Sequence, residues 1–107
     1  MTTFFISRHP GARDWAEAEG HAIDRVLDHL ALAEVRAGDR VMGTLPIHLA
    51  AAVCERGARY FHLSLDLPPS LRGRELDADT LRRYGARLEE FTVLRFPAGH
   101  ETPGSAA

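Results

Sequence analysis

Lysine is missing altogether, because every one of the 13 Lys/Arg positions among the 107 residues is arginine. A lysine nucleophile, a Schiff base and a lysine-dependent phosphate loop are therefore excluded. What remains as cationic equipment is the planar guanidinium fork, which suits phosphate and carboxylate. Cysteine occurs once, as Cys54, so the chain can form no internal disulfide and no cysteine-rich zinc site. Neither GxxxxGK[ST] nor GxGxxG occurs. The six histidines are scattered at 9, 21, 29, 48, 62 and 100, with no HxxxH or HExxH. No metal and no other cofactor is expected. No stretch approaches the roughly 18 apolar residues of a membrane span, and the start lacks the basic and apolar regions of a signal peptide. A cytoplasmic protein without a membrane partner is expected. The formal net charge of -2 supplies no global basic field, so duplex DNA is not an expected partner.

What is present fits one globular domain: 45% of residues are hydrophobic and 26% charged. The expected limits are a single domain over 1–96 and a disordered tail over 97–107. A domain this small has little surface for a deep private pocket. A homodimer sharing a ligand between two copies is expected.

The chain opens with a short apolar strand over 2–6 that ends abruptly in Ser7, Arg8 and His9. Pro10 then starts a helix over 10–19, where its missing N–H costs nothing, and Gly20 stops it. Trp15 is the expected anchor of that helix. Strand, polar turn and helix form the first unit of an α/β fold, in which ligands sit at the carboxyl end of the strand against the next helix. Over 21–30 the spacing of Ile23, Val26, Leu27 and Leu30 also fits a helix, but a second strand is expected over 25–30, and a helical turn over 33–35. The pattern then repeats: a strand over 40–44, the turn Gly43, Thr44, Leu45, Pro46, and a helix over 46–56 stopped by Gly57. Thr44 or Leu45 takes the cap position, where a threonine hydroxyl can cap free N–H groups.

Strict alternation over 59–67 marks the clearest strand, with Phe61, Leu63, Leu65 and Leu67 on one face and His62, Ser64 and Asp66 on the other. His62 and Asp66 would lie roughly 13 Å apart along such a strand, too far for a hydrogen-bonded triad. Asp66 falls at the ligand-binding carboxyl end. A charged loop with Arg72, Gly73, Arg74 and Glu75 follows. Asp77 then caps a helix expected over 78–90, with Leu81, Tyr84, Leu88 and Phe91 on one face, and a last edge strand is expected over 91–96. The sum is a compact three-layer Rossmann-like α/β domain. Its mostly parallel sheet of roughly four to five strands carries helices on both faces.

Ser7, Arg8 and His9 beside a helix N-terminus can hold a phosphate: the helix supplies N–H groups, Arg8 a bidentate donor, and His9 a group that moves protons near neutral pH. Gly43, Thr44, Leu45 and Pro46 form a second candidate ligand turn, and Arg72 and Arg74 a loop able to close over it. Metal-free attack by a ribose 2′-hydroxyl on its own phosphate is compatible with this equipment.

Three motifs in order carry a family resemblance: Ile6 to Ala12 with Trp15, Gly38 to Pro46, and His62 to Pro68 with Arg72 to Leu76. Together they resemble a family of small CRISPR-associated proteins encoded beside type III systems, over about residues 2–95. His48 departs from the pattern, which has asparagine there. The resemblance implies a CARF-like domain acting as a dimer that binds cyclic oligoadenylate. It further implies a ring nuclease that linearises the ring, most readily the cyclic tetramer, without metal and so ends the type III response. In that setting Arg8 would hold the scissile phosphate with Ser7 beside it, and His9 would position the 2′-hydroxyl or transfer a proton. Gly11, Gly43, Thr44, Leu45 and Pro46 would line the ring, Asp66 would contact adenine or ribose, and Arg72 or Arg74 would close from above. Two alternatives share these residues: a non-catalytic binder of the same messenger, and a small metabolic enzyme acting on a phosphorylated metabolite.

Overall fold

The computed structural model describes residues 1–97. Apart from Pro97, the expected tail lies outside the described residues. Eight elements form the domain in chain order: β1 (Thr3–Ile6), α1 (Pro10–Ala18), β2 (Arg25–Leu27), β3 (Arg40–Gly43), α2 (Ile47–Glu55), β4 (Arg59–Ser64), α3 (Ala78–Arg83) and β5 (Arg87–Phe91). Short 3-10 turns at Leu32–Glu34 and Pro69–Leu71 interrupt the connections. The sheet order is β2-β1-β3-β4-β5; the first four strands are parallel and β5 closes one edge antiparallel to β4. Helices cover both faces, as the alternation of apolar sequence units requires.

β1 is the central strand, and all four of its residues are buried. Its side chains alternate between two cores. Phe5 points to the layer of α1 and α3, where Trp15, Ala16, Met42, Leu63 and Leu81 pack. Phe4 and Ile6 point to the layer of α2, with Val35, Val41, Val53 and Tyr60. Trp15, 2% exposed, anchors α1 as its helical spacing predicts. Cys54 is half-buried and packs against the α2-side core. No helix among the described residues is long and apolar enough to cross a membrane.

Carboxylates tie down the amino-terminal end of the sheet. Asp39 accepts the backbone N–H of Thr2 at 2.8 Å and of Arg36 at 2.9 Å. Its own carbonyl accepts the N–H of Arg59 at 2.8 Å. One buried residue therefore fixes the starts of β1, β3 and β4. Asp24 does the same for β1 and β2 by accepting the N–H of Thr3 at 2.8 Å.

The last third departs from its sequence pattern. The helix expected over 78–90 ends at Arg83, and the segment from Arg87 is strand. Gly85 adopts a positive φ of 73° and turns the chain back, so Leu88 and Phe91 belong to β5, not to a helical face. The residues over 92–96, expected as strand, are not in the sheet. β4 also stops at Ser64, three residues short of the alternation, because the chain leaves the sheet when the Asp66 N–H bonds the Tyr84 carbonyl at 2.8 Å. Asp77 does cap α3, accepting the Thr80 N–H at 2.8 Å.

Backbone donors hold two carboxyls below the ordinary aspartate value: Thr2 and then Arg36 act on Asp39, and Thr80 on Asp77. A carboxyl depressed on folding stabilises above its unfolded pKa, and that contribution is lost as pH falls through the folded value. Thermal melts from about pH 7 to about pH 3 should show the midpoint falling only below about pH 4. Asp39→Asn should flatten that acid decline and lower the midpoint at neutral pH, since an amide oxygen leaves one of two N–H donors without an acceptor.

Candidate functional site

The carboxyl ends of β1, β2 and β3 finish level, with Ile6 paired to Leu27 on one side and to Gly43 on the other. From β1 the chain leaves through α1 toward the β2 edge; from β3 it leaves through α2 toward β4. The connections part between Ile6 and Gly43. Such a switch point opens a crevice outside the strand ends, where open α/β sheets bind ligands.

A cavity of about 580 Å³ lies there, within the roughly 300–1,000 Å³ range of small-molecule sites. The turn after β1 contributes Ser7, Arg8 and His9, the turn after β3 contributes Gly43, Thr44, Leu45 and Pro46, and the loop before α3 contributes Arg74 and Leu76. The end of β2 adds Asp28, His29 and Leu30. The floor is apolar, with Phe5, Ile6, Leu49, Leu63, Leu65 and Leu81. A smaller pocket of about 80 Å³ shares Ser7, Arg8, His9 and Asp28 with it and adds Arg13 and Val26.

The structure brings together Ser7, Arg8, His9, Gly43, Thr44, Leu45, Pro46 and Arg74 and leaves three of the expected site residues outside. Gly11 sits under α3's approach: a Cβ there would collide with the Leu76 carbonyl and the Asp77 backbone. Its place is explained by close packing of α1. Asp66 is turned away on the β4–β5 side, where Arg87 lies 3.3 Å from its carboxylate. Arg72 is exposed at the end of the 3-10 turn and does not line the cavity. Asp28 and His29 were not candidates because the strand was expected to run through them to residue 30. The rule that ligands gather at strand carboxyl ends would have found them had the strand ended at Leu27.

Both helices that meet the cavity begin without a side-chain cap. The Ser7 hydroxyl accepts the N–H of His9 at 3.0 Å, before α1 begins. Pro46, not Thr44 or Leu45, is the N-cap of α2, and the Thr44 hydroxyl donates to the Leu63 carbonyl at 3.4 Å. Uncapped N-termini leave N–H groups and the positive end of each helix dipole for an anion. Among the described residues the guanidiniums of Arg8 and Arg74 have no hydrogen bond or ion pair, as is also true of Arg13, Arg72 and Arg83 outside the main cavity, whereas Arg25, Arg59, Arg82, Arg87 and Arg95 each hold a carboxylate. Exposed cationic forks without protein partners, beside two helix N-termini, suit a phosphate-bearing ligand.

Tyr60 sets the shape of the β3 turn. Its buried hydroxyl donates to the Gly43 carbonyl at 3.2 Å and accepts the Leu45 N–H at 3.0 Å. His62 Nδ1 lies 2.6 Å from the same oxygen. Burial raises the Tyr60 pKa, so the phenol keeps its proton. The imidazole tautomer of His62 sets which of the two groups donates in that contact. Gly43 itself has φ 147°, and a Cβ there would strike the Ile6 carbonyl.

A family model described as "Putative CRISPR-associated protein (Cas_VVA1548)" matches residues 4–94. The chain belongs to this CRISPR-associated family. The matched span runs from β1 past β5 and contains every cavity residue of the Cas_VVA1548 chain. No curated protein and no solved structure matches it. CRISPR association agrees with the sequence resemblance. Among the described residues of this Cas_VVA1548 domain, no three His, Cys, Asp or Glu side chains converge as a metal-holding group.

Two substitutions test the architecture of the β3 turn in urea denaturation. Gly43→Ala should destabilise by about 2 kcal/mol or more, from the positive φ and the collision with β1. Tyr60→Phe keeps the ring packing and strands two backbone groups, for a loss of about 1–3 kcal/mol.

Proposed function

We propose that this CRISPR-associated domain binds cyclic oligoadenylate, in the first place the cyclic tetramer, and linearises it without a metal. The observation that supports this reading best is the cavity at the switch point, with two uncapped helix N-termini and two arginines unpaired in the protein. A cyclic oligoadenylate offers alternating phosphates and purines. The rim has donors for the former, and the leucine-rich floor has apolar surface for the latter. In the proposed assembly two copies face each other, and each takes half of the ring.

The reaction follows from the ring's own chemistry. A ribose 2′-oxygen forms a bond to the adjacent phosphorus while the bond from phosphorus to the 5′-oxygen breaks. The 2′-proton passes to a base and the leaving 5′-oxygen gains a proton. The product is linear, with a 2′,3′-cyclic phosphate at one end and a 5′-hydroxyl at the other. Arg8 and the N–H groups at the start of α1 stabilise the charge that builds on the non-bridging oxygens. His9 moves a proton at the 2′- or 5′-oxygen. Arg74 closes on the neighbouring phosphate from the opposite rim.

Purified protein incubated with cyclic tetra-adenylate in EDTA should yield linear product with a 2′,3′-cyclic end, read by liquid chromatography and mass spectrometry. Arg8→Ala should slow this about 100-fold or more. An intact ring after long incubation with stoichiometric protein would sink the catalytic claim, and tight binding of that intact ring would make the domain a sequestering protein. Asp66→Ala should leave both binding and cleavage unchanged, since its carboxylate faces Arg87 and not the cavity.

A further inference from the structure

The cationic rim holds one carboxylate, Asp28, and nothing in the protein uses it. Asp28 is the first residue after β2 and lines both the main cavity and the smaller pocket beside it. The Ser7 N–H donates to the Leu27 carbonyl at 3.0 Å, which sets Asp28 next to the Ser7–Arg8–His9 turn. Its carboxylate makes no hydrogen bond or ion pair among the described residues, not even with Arg8, which lines the same two pockets. A negative group at a phosphate site repels the ligand unless the ligand brings it a donor.

A nucleotide ring carries few donors: the ribose hydroxyls and the amino groups of the bases. The choice between them follows from position. Arg8 is one residue from the Ser7 backbone bond that places Asp28, so the donor has to lie close to the phosphate that Arg8 holds. The 2′-hydroxyl sits on the carbon next to the one bearing that phosphate, whereas the amino group lies on the far side of the base. An acidic side chain at the end of the second strand also takes a ribose hydroxyl in dinucleotide-binding sheets, for the same reason of strand-end geometry.

We propose that Asp28 is the ribose-recognition residue of this site: it accepts a hydrogen bond from the 2′-hydroxyl adjacent to the phosphate held by Arg8. This rests on the nucleotide reading above and deepens it. It makes the site selective for ribose over deoxyribose, and it holds the attacking oxygen in place, leaving His9 to proton transfer. Asp28 is exposed and unbonded, so its removal leaves the fold intact.

The test uses adenosine 3′-monophosphate and its 2′-deoxy counterpart, which lack a 5′-leaving group and are not turned over. Isothermal titration should give the wild type a preference for the ribonucleotide of roughly ten- to a hundredfold. In Asp28→Ala that ratio should collapse toward one, while affinity for the deoxynucleotide is unchanged or higher because a repelling charge is gone. Asp66→Ala, which removes a carboxylate outside the cavity, should keep the wild-type ratio. An Asp28→Ala protein that retains the full ribose preference overturns the proposal. So does one in which the ribose ratio holds and discrimination between adenosine and inosine 3′-monophosphates is lost, because Asp28 would then be reading the base. A wild type that linearises cyclic tetra-adenylate yet shows no ribose preference overturns this proposal alone. One that binds neither the ring nor the nucleotides overturns the nucleotide reading with it.

Discussion

The Tyr60 hydroxyl is the contact on which the candidate site depends. It is one oxygen, buried between the sheet and α2, with one proton to give and two lone pairs to fill. Gly43, Leu45 and His62 all lie within hydrogen-bond distance of it. Because the carbonyl and the N–H that it holds flank Thr44, the hydroxyl dictates the angle at which the chain leaves β3 and enters α2. That angle aims the uncapped start of α2 at the space outside Ile6. An ordinary βα turn caps its helix with a side chain; this one spends its side-chain hydrogen bonding on the strand side and leaves the helix end free.

The two ends of the sheet are built on opposite electrostatic plans. At the amino-terminal end, Asp39 and Asp24 receive backbone N–H groups and close the strands against one another. At the carboxyl end the donors are left open: two helices start uncapped, and Arg8 and Arg74 have no acidic partner. The first end stabilises the domain and the second leaves donors to a ligand. The core joins them, since Phe4, Phe5 and Ile6 run between the two ends and fill both faces of the sheet. The rim therefore rests on the most buried part of the molecule.

Much of this arrangement is legible in the sequence. Apolar runs that end in polar turns followed by proline locate β1, β3 and both cavity turns, because a buried parallel strand and a helix start leave strong local marks. Other features are hidden for physical reasons. Leu81, Tyr84, Leu88 and Phe91 have helical spacing, yet Gly85 reverses the chain between them, and spacing alone does not register a positive φ. The polar stripe of β4 shows in the alternation, yet nothing in it marks that the Tyr60 hydroxyl, joined there to His62, reaches back to Gly43 and Leu45 in the turn after β3. Asp28 escaped notice because β2 is an exposed edge strand of three residues, too short for any period to mark its end. Asp66 looked like a strand-end residue only because the alternation outlasts the strand.

Gly11 has a consequence that reaches beyond packing. Its missing side chain lets the backbone of α1 touch the Leu76 carbonyl, two residues from Arg74. The turn bearing Arg8 and the loop bearing Arg74 are thereby riveted together across the mouth of the cavity. Over evolutionary time the spacing between these two arginines cannot drift by moving one segment against the other, since any residue larger than glycine at position 11 pushes both. Adaptation to a ligand of different size has to come from side chains such as Leu30, Leu45 and Leu49. The gauge of the site is set in backbone, and only its lining is free to vary.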